Sequence, residues 1–187
     1  MAKAAALAPA GMSAVLGGDR DVVLKAIADA GLVAANDNGG GQIVAAGDLT
    51  ALAALAPEGA RVRALAVAGA FHTSYMQPAV EPMHTLAASM EVNDAVVGVL
   101  SNKDGAVITD GREILNRIVN QIANPVRWDL CMQTLADQGV TGAIEVAPAG
   151  TLVGLIKRAV PTIEQCALKS PAELDAATAF AATHGGK

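Results

Sequence analysis

An α/β fold that opens with a ferredoxin-like α+β subdomain is predicted here, and three observations carry the prediction. Apolar runs and capped helical stretches alternate as β-α-β-β-α-β between residues 12 and 67, the split βαβ order. From residue 68 onward strand and helix patterns go on alternating. Hydrophobic residues make up 52% of the 187-residue chain and aromatics only 2%, so the interior must be built from Ala, Val, Leu and Ile. That length suits one domain or two small ones. The segments expected from the pattern are a helix tail over 1–10, the ferredoxin-like subdomain over 11–67, and alternating α/β structure over 68–187.

Each element has a local reason. Residues 12–16 form a short apolar strand closed by Gly17-Gly18. Asp19 caps a helix over 22–30, with Val23, Ile27 and Ala30 on one face and Gly31 as its stop. Strands over 32–35 and 42–46 flank Asn36-Asp37-Asn38-Gly39-Gly40-Gly41. Asp48 caps a helix over 49–55 that must end before Pro57, and 61–67 is the fourth strand. A helix over roughly 77–90 comes next, in which Pro82 either delays the start or kinks the axis. Residues 95–100 are an unbroken apolar run, suited to a strand buried on both faces, with 106–108 as its short partner. Asp110 caps a helix carrying Ile114, Leu115, Ile118, Val119 and Ile122 in register, which Asn124-Pro125 ends. Helices over 129–138 and 152–158 and strands over 143–146 and 163–168 complete the alternation. Ser170-Pro171-Ala172-Glu173 is a capping box opening the last helix.

Composition excludes several functions. A net charge of −5 without a basic stripe argues against a nucleic-acid partner. No apolar run approaches the roughly 18 residues that span a bilayer, and the Ala-rich start reads as helix tail, not as an export signal. Cys131 and Cys166 have no metal-ligand spacing and read as small buried apolar residues of a cytoplasmic protein. Charged residues are only 17%, so either a sheet is covered on both faces or some apolar surface meets a partner.

The candidate chemistry centres on Gly69-Ala70-Phe71-His72-Thr73, where an apolar strand runs into a small-residue corner, a histidine and a helix start. That is where α/β folds place reacting groups, and histidine exchanges protons near neutral pH; the plain alternative is a histidine on the surface or behind a site. His72, His84 and His184 lack the spacing of a helical zinc pair, and no metal site is expected. Gly39-Gly40-Gly41 lacks the Lys-Ser/Thr of a P-loop and reads as a hairpin turn. Asn36 and Asn38 offer amides to a polar ligand, though turn-forming Asn is the commoner role. A histidine base needs a nucleophile, but Ser74 and Thr73 lie too close in sequence and no Gly-X-Ser-X-Gly elbow occurs. Half of a catalytic pair is present.

Several blocks resemble the malonyl-CoA:acyl-carrier-protein transacylases, most of all actinobacterial ones. They are Gly11-Met12-Ser13-Ala14-Val15-Leu16-Gly17-Gly18, Ala35-Asn36-Asp37-Asn38 with Gly41-Gln42-Ile43-Val44-Ala45-Ala46-Gly47, and Gly69-Ala70-Phe71-His72-Thr73. Ser101-Asn102-Lys103-Asp104-Gly105, Asn124-Pro125-Val126-Arg127-Trp128-Asp129 and Glu145-Val146-Ala147-Pro148-Ala149-Gly150-Thr151-Leu152 continue the series in the family's order. The resemblance implies malonyl-CoA and acyl carrier protein as partners in fatty-acid or polyketide synthesis. It also implies an N-terminal half holding a Gly-Gln-Gly loop, a Gly-His-Ser-X-Gly elbow and an arginine for the malonyl carboxylate, none of which stands in this sequence, and it makes residues 68–187 the C-terminal part of a hydrolase-like large α/β subdomain.

By position, His72 matches the histidine that deprotonates the serine and reprotonates the leaving thiol. Gln121 matches the residue whose backbone carbonyl holds the imidazole in its working tautomer. Phe71 matches the residue that goes with malonyl over methylmalonyl substrates, and Asn36 and Asn38 match the edge facing the acyl and pantetheine cleft. Acyl transfer of this kind implies no metal or redox cofactor. On this reading the chain supplies the base without the nucleophile and is inactive alone. The rival reading is a non-enzymatic ferredoxin-like ligand-binding or interaction module on the same scaffold.

Overall fold

A strand that alternates buried side chains between two faces lies at the middle of the fold in a computed structural model, which describes residues 1–185. The chain forms two compact units that meet in sequence between Cys131 and Met132. In the first, a one-turn helix α1 (Ala2–Ala5) precedes β1 (Ala10–Gly17), α2 (Arg20–Asp29), β2 (Val33–Asp37), β3 (Gln42–Asp48), α3 (Leu49–Ala54) and β4 (Ala60–Ala64). The strands lie in the order β4-β1-β3-β2, all antiparallel, which is the ferredoxin-like arrangement. A further strand, β7 (Val126–Arg127), adds in parallel to β2 and makes the sheet mixed.

The period of two decides what each sheet face meets. Val15, Ile43 and Ala45 pack with Val23, Ile27 and Leu52 of α2 and α3. Met12, Val44 and Ala46 form a separate cluster with Ala35 and Ala70, against which Phe71 packs. Thus one face buries the two helices, and the other receives the corner that carries His72. Asp19, Asp48 and Asp110 cap their helices as expected, each carboxylate accepting backbone N–H groups of the first turn. Between β2 and β3 the three glycines 39–41 all have positive φ, so the stretch is the hairpin turn that glycine permits.

Beyond the corner, a 3-10 segment (Ser74–Ala79) runs into α4 (Val80–Ser89). Pro82 therefore sits in the first turn of a late-starting helix, where its missing N–H costs nothing. A short ladder, β5 (Val99–Leu100) with β6 (Val107–Ile108), precedes α5 (Gly111–Gln121), and β7 leads into α6 (Trp128–Asp137). The second unit is a βαβ turn in which β8 (Gly142–Val146) and β9 (Glu164–Leu168) pair in parallel around α7 (Leu152–Ala159), with α8 (Leu174–His184) after them. The capping box at Ser170 and Glu173 is present.

Three expectations are corrected. The run 95–100 is not a strand buried on both faces: Val96 is 101% and Val97 78% exposed, and only Val99 and Leu100 pair. An apolar run signals that a segment seeks cover, but not that covering strands are present. The fourth strand stops at Ala64, leaving Leu65 and Val67 exposed. Cys131 is fully buried, but Cys166 is only half-buried. Residues 186 and 187, which close the last expected segment, lie outside the described residues. No helix among the described residues is long and apolar enough to cross a membrane.

Candidate active site around His72

Among the described residues His72 is the one non-glycine with positive φ, at 60°. An L-residue in that region pays roughly 1–2 kcal/mol against the ordinary conformations. Two anchors hold it there. On one side Ala70 is fully buried in the sheet-face cluster, and Phe71 packs both there and against Met76, Ala79 and Ile122. On the other, the buried Thr73 hydroxyl donates to the Ala70 carbonyl at 2.7 Å and accepts the Tyr75 N–H at 3.2 Å, capping the 3-10 segment. The corner from 70 to 75 is closed by the residue next to the histidine.

The half-buried imidazole has its Nδ1 2.8 Å from the main-chain carbonyl of Gln121. A carbonyl only accepts, so Nδ1 carries the proton and Nε2 is left as the basic nitrogen. The geometry therefore brings His72 and Gln121 together across 49 residues of sequence. Asn36 lies on β2 opposite Val126, and the neighbouring Pro125 carbonyl accepts the Gln121 side-chain amide, so β2 lies two contacts from the histidine's partner. Asn38 stands in the hairpin turn, its backbone N–H donating to the Gln42 carbonyl at 2.9 Å. Both asparagines are half-buried, and among the described residues their side chains find no hydrogen-bond partner.

A small cleft of about 90 Å³ opens beside Gln121, walled by Leu100, Ile108, Ile114 and Ile118 and floored by Ser101 and Arg117. Arg117 is not free to meet a ligand's carboxylate. It binds Asp104 through both oxygens at 2.8 Å, Glu113 at 2.7 Å and the Ser101 hydroxyl at 3.1 Å. Burial pushes the Asp104 carboxyl up, but Arg117 outweighs it and holds the group below the usual carboxylate range. This network ties the 101–105 turn to α5. Cys131, next to it, donates its S–H to the Ser101 carbonyl, and burial with Asp129 and Asp104 nearby pushes its thiol up to about 11. At neutral pH it is an inert thiol.

Sequence reasoning missed Thr73 as the lock of the corner and Arg117 as the tie of α5. A Thr directly before a helix start was the available signal for the first. For the second the only local signal is Glu113 one helical turn before it; the turn it ties down, through Asp104 and Ser101, lies 13 and 16 residues away. Among the described residues no group of three or more His, Cys, Asp or Glu is arranged to hold a metal ion.

No family model matches the chain. It is 51% identical over 178 residues to the malonyl CoA-acyl carrier protein transacylase of Mycobacterium tuberculosis, a match covering 94% of this chain and 59% of that protein. It is 34% identical over 182 residues to the protein of the same name from Bacillus subtilis, covering 90% and 57%. Among solved structures it superposes on the crystal structure of MCAT from Mycobacterium tuberculosis with a TM-score of 0.90 at 50% identity, covering 94% and 59%. A malonyl-transacylase solved in complex with a type II polyketide acyl-carrier protein gives 0.81 at 28% identity, covering 90% and 58%. The chain thus spans about three-fifths of the length of the relatives it matches.

Proposed function

We propose, from a chain that is homologous over 94% of its length to the malonyl CoA-acyl carrier protein transacylases and spans 59% of theirs, that its residues serve malonyl transfer from malonyl-CoA to acyl carrier protein. One observation carries the reading: an imidazole half-buried at a corner, its Nδ1 committed to the Gln121 carbonyl and its Nε2 without a partner among the described residues. In this reaction Nε2 takes the proton of a serine hydroxyl as its oxygen attacks the thioester carbonyl. The proton passes to the thiolate of CoA as the carbon–sulfur bond breaks, and the same two steps in reverse order load the carrier protein's thiol. The chemistry asks for a proton shuttle and an oxyanion hole.

His72 is the shuttle and Gln121 its orienting partner. Phe71, adjoining the histidine, faces the acyl group, and Asn36 and Asn38 face the acyl and pantetheine cleft. This chain has no serine in a strained elbow, so the alcohol belongs to the part of a transacylase outside the matched three-fifths. The exposed Val96, Val97 and Ile118 support that reading, because they are the surface such a part would cover.

The test is complementation. The chain is co-expressed with the N-terminal two-fifths or so of an actinobacterial relative, and transfer of labelled malonyl to carrier protein is measured. Transfer is expected from the pair and not from the chain alone, and His72→Ala should lower it by about 10²–10⁴-fold. Stoichiometric malonyl label on the chain by itself, or undiminished transfer by the His72→Ala pair, overturns the proposal. Binding of carrier protein without any turnover by the pair would favour the non-enzymatic module instead.

A further inference from the structure

The Gln121 carbonyl is open to His72 because of the residues immediately after it in the chain. In a continuing α-helix that oxygen would accept the N–H of residue 125. Residue 125 is proline and has no N–H to give. The Asn124 N–H reaches the same oxygen only at 3.4 Å, a long bond beside the 2.8 Å contact from His72. A carbonyl at a helix end is one of the orphan acceptors that need an outside partner, and here the outside partner is the imidazole.

Freeing the oxygen does not aim it. The aim comes from the Gln121 side chain, whose amide nitrogen turns back and donates to the carbonyls of Asn124 and Pro125, both at 2.7 Å. A primary amide has two N–H bonds, so one side chain satisfies both acceptors. The Asn124 amide closes the same reversal by donating to the Asn120 carbonyl at 2.7 Å. Three side-chain hydrogen bonds therefore brace the five residues after Asn120, a stretch where helix ends ordinarily fray.

We infer that the Gln121 side chain and Pro125 are positioning residues for His72: together they present to Nδ1 a carbonyl with no strong main-chain donor and so decide which ring nitrogen is basic. The main-chain oxygen alone does not do this, since any residue at 121 supplies one. The inference rests on the reading of His72 as the proton-transfer group, but it concerns the ring's tautomer and can be read without turnover.

The experiment uses the full chain with ¹⁵N-labelled histidine, observed by long-range proton–nitrogen correlation at about pH 9, above the ordinary histidine range. The wild-type chain should show His72 in the Nδ1–H form. Gln121→Met keeps length and main-chain carbonyl but loses both donors, and should move the tautomer ratio by about fivefold toward Nε2–H, the effect of one weakened hydrogen bond. Pro125→Ala restores a competing N–H and should move it the same way. His84 and His184 serve as internal controls and should stay put. If Gln121→Met moves all three histidines, the fold has failed and Pro125→Ala decides alone. A lowered melting temperature with an unchanged His72 ratio in the folded variant means a merely structural role and overturns the inference. That result would leave the proposed function standing, whereas a wild-type pair inactive in complementation would strike the function and leave the tautomer result intact.

Discussion

Replacing His72 by alanine and by glycine should reverse the usual order of stability of those two residues. Both variants lose the ring, the Gln121 hydrogen bond and the half-buried packing, so those losses cancel in the comparison. What differs is one Cβ at φ 60°. Alanine keeps the left-handed penalty of roughly 1–2 kcal/mol. Glycine escapes it, but its freer unfolded chain takes back about 0.4–1 kcal/mol. The glycine variant should therefore be the more stable by about 0.5–1 kcal/mol, whereas inside an ordinary helix or strand alanine wins by a similar margin. Urea unfolding of the two chains side by side, observed through the single tryptophan, Trp128 of the first unit, reads the difference. With a slope of about 1–3 kcal/mol per molar, the midpoints should part by about 0.2–1 M. An alanine variant as stable as the glycine one, or more so, would show that the corner stores no backbone strain and that Thr73 and Ala70 do not force it into the left-handed region.

Three further outcomes rest on contacts elsewhere. Thr73→Val keeps the shape but leaves the Ala70 carbonyl and the Tyr75 N–H without their hydroxyl; it should cost about 1–3 kcal/mol in urea unfolding, and a change below about 0.5 kcal/mol refutes the lock. In the second unit burial pushes the Glu145 carboxyl up, but the N–H groups of Val153, Leu152 and Gly150 outweigh it and hold it below its ordinary value of 4.5. A depressed carboxyl stabilises fully above that ordinary value and loses its contribution as pH falls through the lower folded one. The protection of the amides of residues 150, 152 and 153, their exchange relative to an unfolded chain at the same pH, should therefore fall in acid, and Glu145→Gln should be weakly protected at neutral pH and lack this dependence. Exchange there that is indifferent to the substitution counts against the carboxylate anchor. Finally, a thiol reagent near pH 8 should modify half-buried Cys166 in the native chain while Cys131, buried and with its thiol at about 11, waits for unfolding; simultaneous reaction of both sinks that assignment.

Much of the fold was legible because its causes are local. The caps at Asp19, Asp48 and Asp110, the glycine turn at 39–41 and the delayed start at Pro82 each depend on a few neighbouring residues. The β-α-β-β-α-β order came from them. Misreadings fell where cause is distant. The run 95–100 carries the pattern of a covered strand, but pattern records hydrophobicity and is silent on what does the covering. Leu65 and Val67 left the fourth strand for the same reason: the antiparallel register with β1 ends at Ala64 against Ser13.

The site divides along the same line. Residue order alone determined that a histidine stands where an apolar strand breaks into a helix, that no serine elbow accompanies it, and, by resemblance, which glutamine to watch. The tertiary structure alone decided that this histidine sits at positive φ, that Thr73 locks its corner, and that a helix-end carbonyl 49 residues away is left free to accept its Nδ1–H at 2.8 Å. A side chain's type is set by the sequence at its own position. Its tautomer is set by whichever acceptor the fold leaves unsatisfied within reach.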